Sequence, residues 1–297
     1  MTRLKAHIYR SFTQENGSGG NTAAIVHNNA LTQEQMMDAA QHLDVSETAF
    51  IDHFANKTKY GAYRVLYYTR NGSRVPLCGH ATLAAGKEIF SDEGFANQGN
   101  CPLHYESEDG NETETIIKKE YDGRIFYRHD ISPHRKYLDS SDIINSLEVD
   151  MSSVDYNFNP IERNHVAFIA LTEQGFNALP TQPDSKVLKR ILQNADLIGT
   201  HIFMLCNAES DLVARTRNFS PVVGIDEENA TGSDTAMLTK ELLEQDLLPP
   251  EKSIEQKYIQ GENMNQSFGV LYTQMRKDGI WAGGRVSDDG MKKFNLQ

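Results

Sequence analysis

The 297-residue sequence has only three cysteines, Cys78, Cys101 and Cys206. An odd count with no CxxC spacing and no zinc-type His/Cys cluster indicates neither a disulfide-stapled scaffold nor a structural metal. Positive charge is also scarce. Against 41 Asp and Glu stand 29 Lys and Arg, for a net charge of −12 and a pI near 5.3. No basic run exceeds two residues, so the field repels nucleic acid and anionic membranes, and neither is expected as a partner. Long apolar runs are missing too: no window approaches the roughly 20 apolar residues of a membrane-spanning helix. Met1-Thr2-Arg3-Leu4-Lys5 has no apolar stretch behind it of the kind that follows a secretory start. A cytoplasmic location is the expectation.

What is present is an ordinary globular composition, 39% hydrophobic and 24% charged, with 9 prolines and 21 glycines, which predicts a soluble, folded chain. The length is long for one core and short for three, so two domains are expected. Leu4 to Arg10 alternates as a strand does, and Gly17-Ser18-Gly19-Gly20-Asn21 interrupts it before the apolar run Thr22 to Val26. Thr32-Gln33-Glu34-Gln35 reads as a capping box, with Met36, Ala39, Ala40 and Leu43 at helical spacing behind it. A helix over 32–43 follows. Next come Ser46 to Ile51, a polar break at 54–59 and an aromatic strand across Tyr63 to Thr69. Cys78-Gly79-His80 then opens a helix through Ile89 that is apolar nearly all round and belongs inside its domain.

The same order recurs later in the chain. Asn164 to Ile169 reads as a strand, Ser185 to Asn194 as a helix, His201 to Leu205 as a strand, and Thr231-Gly232-Ser233 opens a second buried helix. Laying Cys78 through Phe90 on Thr231 through Leu243 matches Gly, Thr, Lys and Glu at an offset of 153. Ser46 to Ile51 lies on Gly199 to Met204 at the same 153, with Phe50 on Phe203. A shared offset in two separated segments predicts duplicated domains. The boundary is expected in the charged stretch at 106–123. We place it after residue 118: residues 1–118 carry the candidate base, with completion by a C-terminal strand left open, and residues 119–297 form the second half.

Each half therefore offers a glycine at the start of a buried helix, Gly79 and Gly232. Free backbone N–H groups and the positive dipole end make such a start an anion site, and paired sites facing a cleft would hold a small carboxylate-bearing substrate. An ordinary helix capped by Ser233 or Thr231 is the alternative. The halves differ at Glu47, whose counterpart is Thr200. A carboxylate among apolar neighbours at a cleft wall should have a raised pKa and serve as an acid/base, whereas at a surface it would be inert. His80, at a helix start, is expected neutral and able to contact a substrate carbonyl, or is simply a satisfied helix-start histidine. Glu228, just before the second helix, could orient an amine or hydroxyl, or belong to a solvated acidic loop. Cys78 stands where a cysteine base would stand, but Thr231 matches it, so a two-cysteine racemase is ruled out.

Phe12-Thr13, Gly19 to Val26, Ser46-Glu47-Thr48-Ala49-Phe50, Pro76 to Ala84, Arg217 to Pro221, Ala230-Thr231-Gly232-Ser233 and Gln260-Gly261 together resemble the PhzF-like phenazine-biosynthesis isomerase family, in its order and spacing across almost the whole chain. The resemblance implies the diaminopimelate-epimerase-like fold: α+β, two pseudo-symmetric domains, each a curved, mainly antiparallel, barrel-like sheet around a central helix, with the active site between them. It implies a homodimer that uses no cofactor and no metal. The best-understood member isomerises trans-2,3-dihydro-3-hydroxyanthranilate by moving a proton, with one glutamate as acid and base. By motif position that glutamate is Glu47, and His80, Gly232 and Ser233 match the family's CGHAT-like and TGS motifs. Asn21, Gly79, His80, Glu228, Gly232 and Ser233 are the substrate-binding candidates. Glu228-Asn229 replaces the usual Asp-Pro, Thr22 a usual proline, Arg74 a usual glutamate and Asn265-Gln266 a usual Gly-Arg. The implied function is a cofactor-independent isomerase acting on a small carboxylate-bearing or cyclic conjugated metabolite. A non-catalytic binding or regulatory protein with the same cleft is the alternative.

Overall fold

The structure is a computed structural model that describes residues 2–28, 30–54, 62–91, 99–106, 110–248, 254–263 and 267–296. The chain divides into two compact units, residues 1–129 with 282–297, and residues 130–281.

The first unit begins with β1 (Thr2–Thr13) and β2 (Asn21–His27). The turn between them needs glycine: Gly20 has φ +78°, and a Cβ there would lie 2.1 Å from the Ser11 carbonyl oxygen. α1 (Gln33–Leu43) starts from the expected capping box, in which Thr32 accepts from the Gln35 N–H and the Gln35 side chain accepts from the Thr32 N–H. Then follow β3 (Glu47–Phe54), β4 (Ala62–Thr69), β5 (Arg74–Val75), α2 (Gly79–Ile89), β6 (Asn100–Glu106), β7 (Glu112–Lys119) and β8 (Ile125–His129). β1 and β2 are antiparallel, β2 and β3 parallel, β3 and β4 antiparallel, β4 and β6 parallel, and β6, β7 and β8 antiparallel in turn. The last strand of the chain pairs with both β8 and β1, which closes this sheet into a barrel.

The apolar runs of β2 and β3 follow from being covered on both faces. α1 packs on one side, where Met36, Ala39, Ala40 and Leu43 meet Phe50, Leu66 and Tyr68. α2 packs against β1, β2, β3, β7 and β8, and eight of its eleven residues are buried. A strand covered on two faces has no polar face to alternate with, so alternation gives way to a continuous apolar run. The sequence expectation set the division after residue 118, inside β7. The unit runs on to His129 because β8 pairs with β7 as its next strand. The polar break expected at 54–59 falls almost entirely outside the described residues.

The second unit holds β9 (Lys136–Tyr137), α3 (Ser141–Ser146), β10 (Ile161–Arg163), β11 (Val166–Ala170), α4 (Glu173–Ala178), α5 (Ser185–Asn194), β12 (Gly199–Leu205), β13 (Ala214–Ser220), β14 (Ile225–Glu228), α6 (Gly232–Glu244), β15 (Glu255–Gln260) and β16 (Gly269–Arg276). β17 (Gly279–Leu296) starts here and is the strand that completes the first unit. β10 and β11 are antiparallel, β11 and β12 parallel, β12 and β13 antiparallel, β13 and β15 parallel, and β15 and β16 antiparallel. In the parallel pairs Ala23 lies opposite Glu47 and Ala167 opposite Thr200. The two helix starts, Gly79 and Gly232, stand 153 residues apart, as Glu47 and Thr200 do. The core of this unit gathers Ile143, Ile144, Leu188, Leu192, Ile202 and Phe219. Among the described residues no helix is long and apolar enough to cross a membrane.

Candidate active site

In the first unit the site is built where β3 meets α2. Glu47 opens β3 and is 7% exposed; His80, in the first turn of α2, is 4% exposed. His80 Nε2 lies 2.8 Å from Glu47 Oε2. The Ser46 hydroxyl donates to the same oxygen at 2.5 Å. The Cys78 sulfur lies 3.3 Å from His80 Nδ1. Thr82 anchors the turn by donating to the Cys78 carbonyl at 2.7 Å and sharing a hydrogen bond with Tyr67. Gly79 is required there, because a Cβ would come within 2.6 Å of the Tyr127 hydroxyl oxygen. Asn21 stands two residues along β2 from Ala23, the register partner of Glu47.

The charge states differ from the sequence expectation. Burial alone would push the Glu47 carboxyl up, but the charge and hydrogen bond of His80, the Ser46 hydroxyl and the Arg70 charge outweigh it and hold it below the usual carboxylate range. For His80, burial pushes down, but the neighbouring Cys78 sulfur and the Glu47 carboxylate outweigh it, and the pKa stands well above the ordinary imidazole value. Burial raises the Cys78 pKa, so at neutral pH this group is an uncharged thiol, and we attribute the His80 shift chiefly to Glu47. The expectations of a raised Glu47 and a neutral His80 are therefore corrected: the pair is carboxylate and imidazolium. Apolar walls alone would raise the acid, and the helix dipole alone would neutralise the histidine. The dominant neighbour of each is the other.

In the second unit, Glu228, Gly232 and Ser233 stand together at the start of α6. Thr231 occupies the cap position without capping: its hydroxyl donates to Glu228 at 3.2 Å and accepts from Gln260 Nε2 at 2.8 Å, while Gln260 Oε1 accepts the Thr231 N–H. Ser233 does not cap either and donates to Asp234 at 3.0 Å. Asp234 is a residue the sequence reading passed over. It is buried, accepts from Asn218 and Ser233, and burial pushes its pKa to about 6. Asn218 in turn lies 3.0 Å from His201 Nδ1, and His201 stays neutral because burial pushes it down to about 3. A carboxylate already sits in the first turn of α6, so this helix start does not match the open anion site that the glycine pattern suggested. The signal was available, since Asp234 lies on Ala81 at the 153 offset. Arg74, a departure from the family pattern, pairs with Glu106 at 2.8 Å. Asn265 and Gln266 lie outside the described residues.

Solved structures share this fold. The chain matches a Bacillus anthracis phenazine biosynthesis protein of the PhzF family with a TM-score of 0.79 at 18% identity, covering 100% of each chain. It matches a hydroxyproline epimerase from Agrobacterium vitis with a TM-score of 0.58 at 8% identity, covering 98% of this chain and 92% of that one. The fold class is thus a PhzF-type one, mainly sheet with a barrel-like closed sheet and few helices. The family model described as phenazine biosynthesis-like protein matches residues 9–280. The chain belongs to the phenazine biosynthesis-like (PhzC/PhzF) family. An uncharacterized isomerase of Clostridium acetobutylicum is 27% identical over 92% of this chain and 91% of its own length. An uncharacterized isomerase of Escherichia coli K12 is 26% identical over 84% of each.

Proposed function

We propose that this protein is a cofactor-independent isomerase that shifts a proton on a small metabolite, carboxylate-bearing or cyclic and conjugated, with Glu47 as acid and base. The observation that carries the reading is how the Glu47 carboxylate is held. His80 and Ser46 both bond Oε2, so Oε1 is the oxygen that meets the ligand. In its resting carboxylate form Glu47 takes a proton made acidic by an adjacent carbonyl or conjugated ring and returns it elsewhere on the same molecule. The imidazolium of His80 balances the carboxylate, and the backbone N–H at Gly79 stabilises negative charge that develops on the substrate. Glu228, Gly232, Ser233 and Asn21 act as binding residues by family position. The isomerase names of the bacterial relatives support the reaction class. The common strand order and the shared offset of 153 support a reading of the units as two pseudo-symmetric copies, each with a central helix, of which one kept a base and the other Thr200.

A second reading, a non-catalytic binding protein, is favoured by one observation: a carboxyl with a lowered pKa is a weaker base. One experiment separates them. Wild-type protein incubated with a small-metabolite extract in D2O should place deuterium in one compound, and Glu47→Gln should slow that labelling by at least about 10²-fold. Equal labelling by the variant would remove Glu47 from the chemistry. Tight retention of a compound by wild type without labelling would select the binder.

A further inference from the structure

Three different kinds of ligand atom meet at the start of α2. A Glu47 carboxylate oxygen, the Cys78 sulfur and a His80 ring nitrogen all lie within 4.8 Å of one another. Sequence spacing conceals the group, because Glu47 comes from β3 and only Cys78 and His80 are neighbours along the chain. A tetrahedral ion of the zinc type, with bonds of about 2.0–2.3 Å, sets its ligand atoms about 3.4–3.6 Å apart. The 3.7 Å between Cys78 Sγ and His80 Nε2 is close to that edge already. The 2.8 Å between His80 Nε2 and Glu47 Oε2 has to open, since a hydrogen-bonded proton now bridges them. The sulfur is nearly equidistant from the two ring nitrogens, at 3.3 and 3.7 Å, so it stands over the ring rather than in line with either. Coordination therefore requires the sulfur to move by a turn about its Cα–Cβ bond, and no disulfide ties it down.

We propose that Glu47, Cys78 and His80 form a binding site for a soft divalent cation of the zinc type, which enters in competition with the substrate. On binding, Cys78 and His80 each release a proton to solvent, and the resulting thiolate, imidazole and carboxylate favour such an ion over magnesium or calcium, which prefer sets made of oxygen alone. Three protein ligands leave the fourth position open. Coordination through Oε2 draws electron density out of the whole Glu47 carboxylate and lowers the basicity of Oε1 as well, and the ion fills the space the substrate would enter, so an occupied site is a silent one. That inhibition rests on the reading of Glu47 as the base; the binding does not.

The probe is cobalt(II) alone, added to the metal-free full-length protein. The expected result is one equivalent per chain, with a thiolate-to-cobalt charge-transfer band in the near ultraviolet that zinc displaces. Cys78→Ser should lose the band. His80→Ala and Glu47→Gln should each weaken binding by at least about 100-fold, since even groups that only support a ligand are worth about 10–100-fold. Cys78→Ala serves as a second variant, and far-ultraviolet circular dichroism establishes that each variant is folded. No charge-transfer band in wild type, or a band indifferent to His80→Ala and Glu47→Gln, overturns the site. Deuterium labelling on the same preparation keeps the two readings apart. Labelling that one equivalent of zinc abolishes supports both, labelling that persists with the site filled overturns the inhibition, and metal binding without any labelling supports the site while sinking the proton shift.

Discussion

Glu47 and His80 set each other's charge, and this gives the candidate site a distinctive pH response. In the proposed proton shift the competent form has Glu47 ionised with the His80 imidazolium beside it. With one pKa held below the usual carboxylate range and the other above the usual imidazole value, kcat/KM should be flat across neutrality and fall only at both extremes. His80→Asn removes the charge that opposes burial, so the acid limb should move up toward neutral pH and the alkaline limb should disappear. A pH–rate profile of the variant checks this, and an unmoved acid limb would show that His80 does not govern Glu47. Asp234 behaves oppositely. Its pKa is raised from 3.8 to about 6, so the protonated form favours folding, and that contribution is lost as pH rises through about 6. Asp234→Asn should therefore gain stability relative to wild type between pH 4 and 7, by up to about 3 kcal/mol. Urea midpoints at the two pH values measure it.

α2 joins two chemistries along one element. Its first turn carries His80, and its last turn carries Glu88, which accepts from Tyr9 at 2.6 Å and pairs with His7 and His27 on β1 and β2 at 2.9 and 2.8 Å. The helix that positions the site is thus tied to the strands beneath it at its far end. The turn between β1 and β2 has no slack at Gly20. Gly20→Ala adds both an unfavourable φ and a backbone clash with Ser11, and should destabilise by about 2–5 kcal/mol in thermal or urea unfolding. α6 is held differently. Arg163 at the end of β10 is fully buried and pairs with the equally buried Glu241 and, at 2.9 Å, with Glu244. Arg135 reaches Glu241 at 3.0 Å as well. Arg163→Met leaves the Glu241 charge short of its main partner and should cost about 3–5 kcal/mol. Adding Glu241→Leu should recover part of that loss, because no buried charge then remains unpaired; a strictly additive double variant would contradict this account.

Over the whole molecule, acid sensitivity has a definite origin. Glu88 has its pKa lowered from 4.5 to about 2, mainly by the His27 hydrogen bond against burial, with help from Tyr9 and His7. A depressed carboxyl contributes stability above its unfolded pKa and loses it as pH falls, so the molecule should weaken progressively between about pH 4.5 and pH 2. Glu88→Gln should flatten that part of the curve of unfolding midpoint against pH. The homodimer is a proposal drawn from the family resemblance. Two chains of 33.4 kDa make about 67 kDa, and light scattering on the purified protein decides it. A single-chain mass would remove that expectation and leave the chemistry of the first unit unaffected.

Much of the local structure was legible in the sequence, because its causes lie within a few residues. The capping box at Thr32, the glycine turn before β2, the α5 limits at Ser185 and Asn194 and the helix starts at Gly79 and Gly232 each depend on short-range hydrogen bonds and backbone freedom. The family motif also pointed to Glu47 and His80 as partners in one site. Their charges were not legible, since they depend on atoms brought within 3 Å from positions 33 residues apart. For the same reason Asp234 was overlooked, its hydrogen-bond partner Asn218 lying on β13 and not on α6, and a cation site at Glu47, Cys78 and His80 could not be read from spacing. By itself the sequence determined which elements form and which residues begin them. Only the tertiary structure decided which groups share a proton, because Coulomb and desolvation energies follow distance in space and ignore distance along the chain.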